Sequence, residues 1–245
     1  MEKILIKTIE NMKKNTLVMV LYDFLFLAVS FLIAITAKYI LDKKAAPLEA
    51  IGLSDITALT QSEMTATAGL LEQLWIILIA VLAISIFLLL LNWTFFQGLV
   101  YKTLDNKKLR LKFFLRFFVL NLVWFSIITM ILSLIYILSN KNFINPATIS
   151  IIIVFIHFTN ILYTIFEQDS RPRAIRKTFA VGIVEFYKFI LPYIAVFALF
   201  FAISYIRLLS NIIPSQIVGA IYLILILLIL SFLRNYVHTL INEVE

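Results

Sequence analysis

Six runs of apolar residues separated by shorter polar stretches organise this chain: 17–40, 70–96, 117–138, 147–166, 189–206 and 217–233. Each approaches the roughly 20 residues that a helix needs to cross a hydrocarbon core of about 30 Å. Apolar residues fill these runs without a strict period of two, and no regular turn signals divide them into barrel strands. The pattern predicts an all-α polytopic membrane bundle with six transmembrane helices. The last two runs are the shortest, and Phe186, Tyr187 and Tyr236 extend them as aromatic anchors.

The polar punctuation has its own pattern. A basic i, i+4 pair precedes each odd-numbered span: Lys3 with Lys7, Lys108 with Lys112, and Arg173 with Lys177. In the middle segment, NKKLRLKFFLRFF at 106–118, Lys108, Lys112 and Arg116 form a basic stripe on a helix, with Leu109, Phe113 and Phe117 beside it. Basic amphipathic interfacial helices are therefore expected before spans 1, 3 and 5, giving three hairpin units at about 1–105, 106–169 and 170–245. With no breaker in the second unit, its stripe is expected to run into span 3 as one helix of about 48 Å over 107–138. In the third unit, Pro172 suits a first helical turn, while Pro192 frees the carbonyl of Lys188 and predicts a kink. Asn145 before Pro146 reads as the N-cap of span 4. The stretch 41–69 reads as a mildly acidic loop with a short lid.

Composition agrees with the pattern: 62% of residues are hydrophobic and 14% charged, and the mean hydropathy is +1.02. No soluble surface can be built from that mixture. The net charge of +7 would suit a nucleic-acid ligand only if the cations shared an exposed domain. They stand instead at the ends of the apolar runs, so no nucleic-acid partner is expected. Alternate sides of six spans receive 16 and 5 of the 21 Lys and Arg residues, the smaller set being Lys38, Lys43, Lys44, Lys141 and Arg207. That asymmetry predicts a cell-membrane protein with both termini cytoplasmic.

The basic-then-apolar entries KKLRLKFFLRFFVLNLVWF at 107–125 and RAIRKTFAVGIVEFYKFILPYIAVF at 173–197 resemble those of six-span membrane families of bacteria and archaea. The group includes the membrane domain found with some glycerophosphodiester phosphodiesterases. The resemblance is architectural; it implies a six-span fold and carries over no catalytic residue.

Candidate chemistry lies first among polar residues inside spans, because each is costly in lipid. Asp23, Asn92, Asn121, His157 and Asn160 are the candidate lining of a polar pocket, with Gln97 nearby in sequence and Asp23 and His157 as titratable members. The alternative is plain interhelical hydrogen bonding, with Asp23 paired to a cation such as Lys102 or Arg176. Glu185 is expected to pair with a neighbouring lysine, and His238 to be the frayed polar end of the sixth helix. Lys108, Lys112, Arg116, Arg173 and Lys177 are the candidate contacts to anionic lipid head groups. No H-E-x-x-H, P-loop, G-x-S-x-G or dinucleotide motif occurs. With no Cys and two His 81 residues apart, no metal site or cofactor is expected. These features predict a non-enzymatic structural or regulatory module that binds anionic lipid or other membrane proteins. A small transporter with an inward-facing polar pocket is the alternative.

Overall fold

A computed structural model describes residues 2–50, 61–105, 107–138, 141–168, 173–204 and 214–244. They form seven helices and no strand: α1 Glu2–Ala50, α2 Gln61–Leu104, α3 Leu111–Leu138, α4 Lys141–Gln168, α5 Arg173–Val184, α6 Phe186–Ser204 and α7 Ser215–Val244. The all-α bundle is as expected. Five stretches are long and apolar enough to cross a bilayer: Asn15–Ala46, Thr67–Leu104, Leu111–Leu138, Asn145–Gln168 and Ser215–Glu243. Helices α5 and α6 meet at a 76° bend and supply a sixth if taken as one span.

Of the three expected interfacial helices, one is a separate element. Helix α1 runs unbroken from Glu2 because no Gly or Pro occurs before Pro47, so the Lys3–Lys7 segment is continuous with span 1. The middle segment is not helical through Lys108. Helix α2 ends at Leu104, and the Lys107 N–H bonds the Lys102 carbonyl at 2.8 Å, a closure typical of helix C-termini. Residues 107–110 carry no helix. The Arg110 carbonyl accepts the Phe114 N–H at 3.0 Å and opens α3, whose 28 residues span about 42 Å. The third segment does form an amphipathic helix: α5 buries Ala174, Thr178 and Gly182 along one face and exposes Arg173, Arg176 and Lys177.

Three local expectations are also corrected. The bend in the third unit falls at Glu185, not at Pro192. Pro192 does release the Lys188 carbonyl, but the Tyr236 hydroxyl donates to it at 3.3 Å and α6 continues through. Helix α4 starts at Lys141, so Pro146 lies at its sixth position, where it removes a single intrahelical bond. The expected loop at 41–69 is helical over 41–50 and 61–69. Pro172 and Arg207 lie outside the described residues.

The chain divides into two compact units, Leu25–Trp93 and the remainder, Met1–Phe24 with Thr94–Glu245. In the smaller unit, apolar side chains such as Phe31, Ile79 and Ile86 are about two-thirds exposed. The Asn92 amide donates to the Ser30 hydroxyl at 2.9 Å and to the Phe26 carbonyl at 3.0 Å, while Phe26 meets Trp93 edge-on. In the larger unit α4 packs against α3, α5 and α7, and α6 against α7. Buried residues there gather in the first half of α1, the end of α2, the first half of α3, the last half of α4, α5 and the last half of α7. The distal end of α3 is bare, with Leu138 79% exposed. Apolar helices this long, exposing this much Ile, Leu and Phe, require lipid around them: the chain is a membrane protein.

Candidate functional site

The packed end of the larger unit is held by polar and charged side chains. On α7, Ser231, Arg234, Asn235, His238 and Thr239 recur at three- and four-residue spacing, and all are buried. Arg234 Nη1 meets Asp23 Oδ2 at 2.5 Å, with only 10% and 5% of the two side chains exposed. The Gln97 amide lies 3.5 Å from the other Asp23 oxygen. The partner of Asp23 is thus neither Lys102 nor Arg176. Arg234 sits well inside α7 because the helix continues past the apolar run to Val244.

A second network joins α2, α4 and α7. Lys102 meets Glu167 at 2.7 Å, Lys107 meets the same Glu167 oxygen at 3.3 Å, and Lys107 also meets Asp105 at 2.7 Å. His238 Nε2 donates to Asp105 Oδ1 at 2.7 Å, and the Asn242 amide donates to His238 Nδ1 at 3.3 Å, so one tautomer satisfies both. Gln168 donates in turn to the Asn242 carbonyl. His238 is 5% exposed and central to a network, not a frayed end. Burial pushes the Asp105 carboxyl upward, but hydrogen bonds from His238 and Lys107 outweigh it and hold the group well below the usual carboxylate range. The Asp105 hydrogen bond in turn raises the Lys107 ammonium and keeps it charged.

The candidate pocket residues separate by their partners. The Asn121 amide donates to Thr94 at 3.2 Å and its carbonyl accepts from the Tyr163 hydroxyl. Tyr163 packs edge-on against Tyr101, whose hydroxyl donates to the Asn160 carbonyl at 3.1 Å. Asn121 and Asn160 therefore belong to one chain of contacts across α2, α3 and α4. His157 accepts from the Tyr193 hydroxyl at Nδ1, 2.7 Å, and donates from Nε2 to the Gly182 carbonyl, 3.2 Å, inside a ring of Phe158, Phe186 and Phe189. Asp23 is tied to Arg234, and Asn92 to Ser30 in the smaller unit. Each of the five spends hydrogen-bonding capacity on a protein partner, as packing residues do. Among the described residues, no group of three His, Asp or Glu is placed to hold a metal ion.

The candidate head-group contacts lie on two elements. Lys112 and Arg116 are exposed at four-residue spacing on α3, and Arg173 and Lys177 likewise on α5. Lys108 is exposed on the non-helical 107–110 segment, so the three-residue helical stripe is broken. Glu185 pairs with Lys188 at 2.7 Å, as its position suggested. Where α2 gives way to α3, Lys102, Lys107, Lys108, Leu109, Arg110 and Phe113 line a cavity of about 640 Å³. Lys102 Nζ stands 4.0 Å above the Phe113 ring. The spacing rule passed over this concavity because it took 106–118 as one helix. The Asp105–Asn106 turn signal in the sequence marks it. Compared with known proteins, the chain matches no family model, no curated protein and no solved structure.

Proposed function

We propose that this membrane protein has both termini in the cytoplasm and acts without catalysis, as a structural or regulatory module that holds anionic lipid head groups on its cytoplasmic face. Other membrane proteins are its second class of partner, gathered through the same face. The observation that carries the reading is the set of exposed cations at the margins of the apolar helices: Lys108, Arg110 and Lys112 where α3 begins, and Arg173, Arg176 and Lys177 on α5. Near an anionic leaflet each such cation contributes about 1 kcal/mol, so a handful suffices for selective contact. The engagement of the in-span polar residues with one another supports a packing role for them and leaves the charged face as the place where chemistry is open to a partner.

The reading is tested with the purified protein reconstituted into vesicles. Phosphatidylglycerol is expected to be enriched around the protein over phosphatidylcholine, and the quadruple change of Lys112, Arg116, Arg173 and Lys177 to Gln to remove that preference. Equal retention of both lipids by the unmodified protein sinks the lipid reading. Orientation is tested separately. The chain has no Cys, so a single cysteine introduced at Glu2 is expected to react with an impermeant maleimide only after the membrane is opened.

A further inference from the structure

We propose that the cavity between α2 and α3 is a dedicated site for a phosphomonoester, a phosphate group carrying two negative charges. The proposal rests on the lipid reading only for the side of the membrane the cavity faces. Four cations line it, Lys102, Lys107, Lys108 and Arg110. Two carboxylates stand beside them, and both are engaged: Glu167 with Lys102 and Lys107, and Asp105 with Lys107 and His238. Four cations against these two carboxylates leave two positive charges in excess, which matches a phosphomonoester dianion better than a singly charged phosphodiester or carboxylate.

The site is preformed. Lys102 is held between Glu167 and the Phe113 face, and Lys107 between Asp105 and Glu167, so both ammonium groups are placed before a ligand arrives. Lys108 and Arg110 are exposed and make no ion pair with the described residues, which leaves an ammonium and a planar guanidinium free to close on phosphate oxygens. The 107–110 segment is fixed at one end by the Lys107–Lys102 backbone bond and in its middle by Leu109, whose Cδ1 lies where a Cβ on Gly98 would be 3.3 Å away. At its far end the Arg110 carbonyl starts α3. The N–H groups of Leu111, Lys112 and Phe113 therefore lack helical acceptors, and the positive end of the helix dipole opens beside the cations. Leu109 and Phe113 supply an apolar wall for the rest of the ligand, and about 640 Å³ is ample for a phosphorylated head group.

The same chemistry is offered by the head group of phosphatidic acid and by free phosphate. The test uses the full chain in neutral detergent, titrated by calorimetry with short-chain phosphatidic acid, short-chain phosphatidylglycerol and inorganic phosphate. Phosphatidic acid is expected to bind saturably and more tightly than phosphatidylglycerol. Lys108→Gln with Arg110→Gln is expected to weaken it at least roughly tenfold, the loss of one or two charge-assisted hydrogen bonds, while Lys108→Arg with Arg110→Lys keeps most of the affinity. Lys112→Gln with Arg116→Gln is expected to change it less than about twofold, the size of a screened surface charge effect. If inorganic phosphate displaces the lipid at a similar concentration, the ligand is a soluble phosphate compound; if it does not, the ligand is the lipid. Unchanged phosphatidic acid affinity in the Lys108/Arg110 glutamine variant, or no saturable binding by the unmodified protein, overturns the proposal. Equal retention of phosphatidylglycerol and phosphatidylcholine in vesicles, with saturable phosphatidic acid binding intact, fails the general lipid reading alone; a vesicle preference without saturable phosphatidic acid binding fails the site alone.

Discussion

Replacing Asp23 by Asn is the sharpest single test of how the packed end is held. The change keeps the size of the side chain and its proximity to Gln97, but it removes the charge that Arg234 meets at 2.5 Å. Arg234 is 8% exposed on α7, with Asn235 and Leu233 buried beside it, so little of its charge is left to water. A buried ion pair that loses one partner costs about 3–5 kcal/mol, most of it the uncompensated charge left behind, not the attraction lost. Asp23→Asn is therefore expected to destabilise the protein by about that amount. Asp23→Leu combined with Arg234→Leu should cost much less than either leucine change alone, because no orphan charge remains. The measurement is unfolding in mixed micelles by increasing denaturing detergent, followed by tryptophan fluorescence, for the unmodified chain, the single variants and the double variant. A cost below about 1 kcal/mol for Asp23→Asn, the range of exposed pairs, or leucine changes that simply add, would refute the claim that this is a dry, mutually dependent pair.

Two further outcomes follow from local geometry. A Cβ on Gly182 would lie 2.5 Å and 2.9 Å from two atoms of the Phe158 ring, which packs against Phe179 and the His157 imidazole. Gly182→Ala is expected to cost about 1–3 kcal/mol by overpacking, read as a lower melting midpoint in detergent; an unchanged midpoint would show that α4 and α5 are less closely packed than described. For Asp105 the sign is set by a folded-state pKa held below the ordinary value. Its contribution is present above the ordinary carboxylate range and is lost as pH falls below about 4. The stability advantage of the unmodified chain over Asp105→Asn should therefore be full at neutral pH and shrink in acid; an advantage that grows in acid contradicts the assignment.

The sequence exposed the spans readily because burial in lipid needs only continuous apolar length, a property of composition that no tertiary contact can override. It exposed α5 for a related reason: Ala174, Thr178 and Gly182 are small residues at four-residue spacing opposite three cations, which commits that segment to one face. The 106–118 stripe misled because i, i+4 spacing has meaning only if a helix exists. The cost of ending α2 at Leu104 is met by the Lys107–Lys102 bond and by Leu109 seated on Gly98, contacts made with residues the stripe does not contain. The Asp23–Arg234 pair and the His238 network stayed hidden because the sixth span was closed at its last apolar residue. The signal was present in Ser231, Asn235 and Thr239, and again in Arg234, His238 and Asn242, two i, i+4 rows of polar residues among Leu233, Val237, Leu240 and Ile241. Such rows mark a helix that buries its polar face.

That inversion has a physical cause. In lipid, apolar side chains gain little by leaving the bilayer for one another, so helices coated in Ile, Leu and Phe need other forces to associate. Here the contacts that select one arrangement are polar and lie together: Asp23 with Arg234, Glu167 with Lys102 and Lys107, Asp105 with His238, Asn121 with Thr94 and Tyr163. Where they stop, as toward Leu138 on α3, side chains stand exposed. Lys102 and Lys107 belong both to this frame and to the cavity wall, since the carboxylates that tie the helices together also fix these ammonium groups in place. A ligand at Lys108 and Arg110 would therefore meet a rigid back wall and only two mobile side chains. An anion drawn toward Lys102 would compete with Glu167 for it, so filling the cavity and holding α2 to α4 are coupled through one lysine.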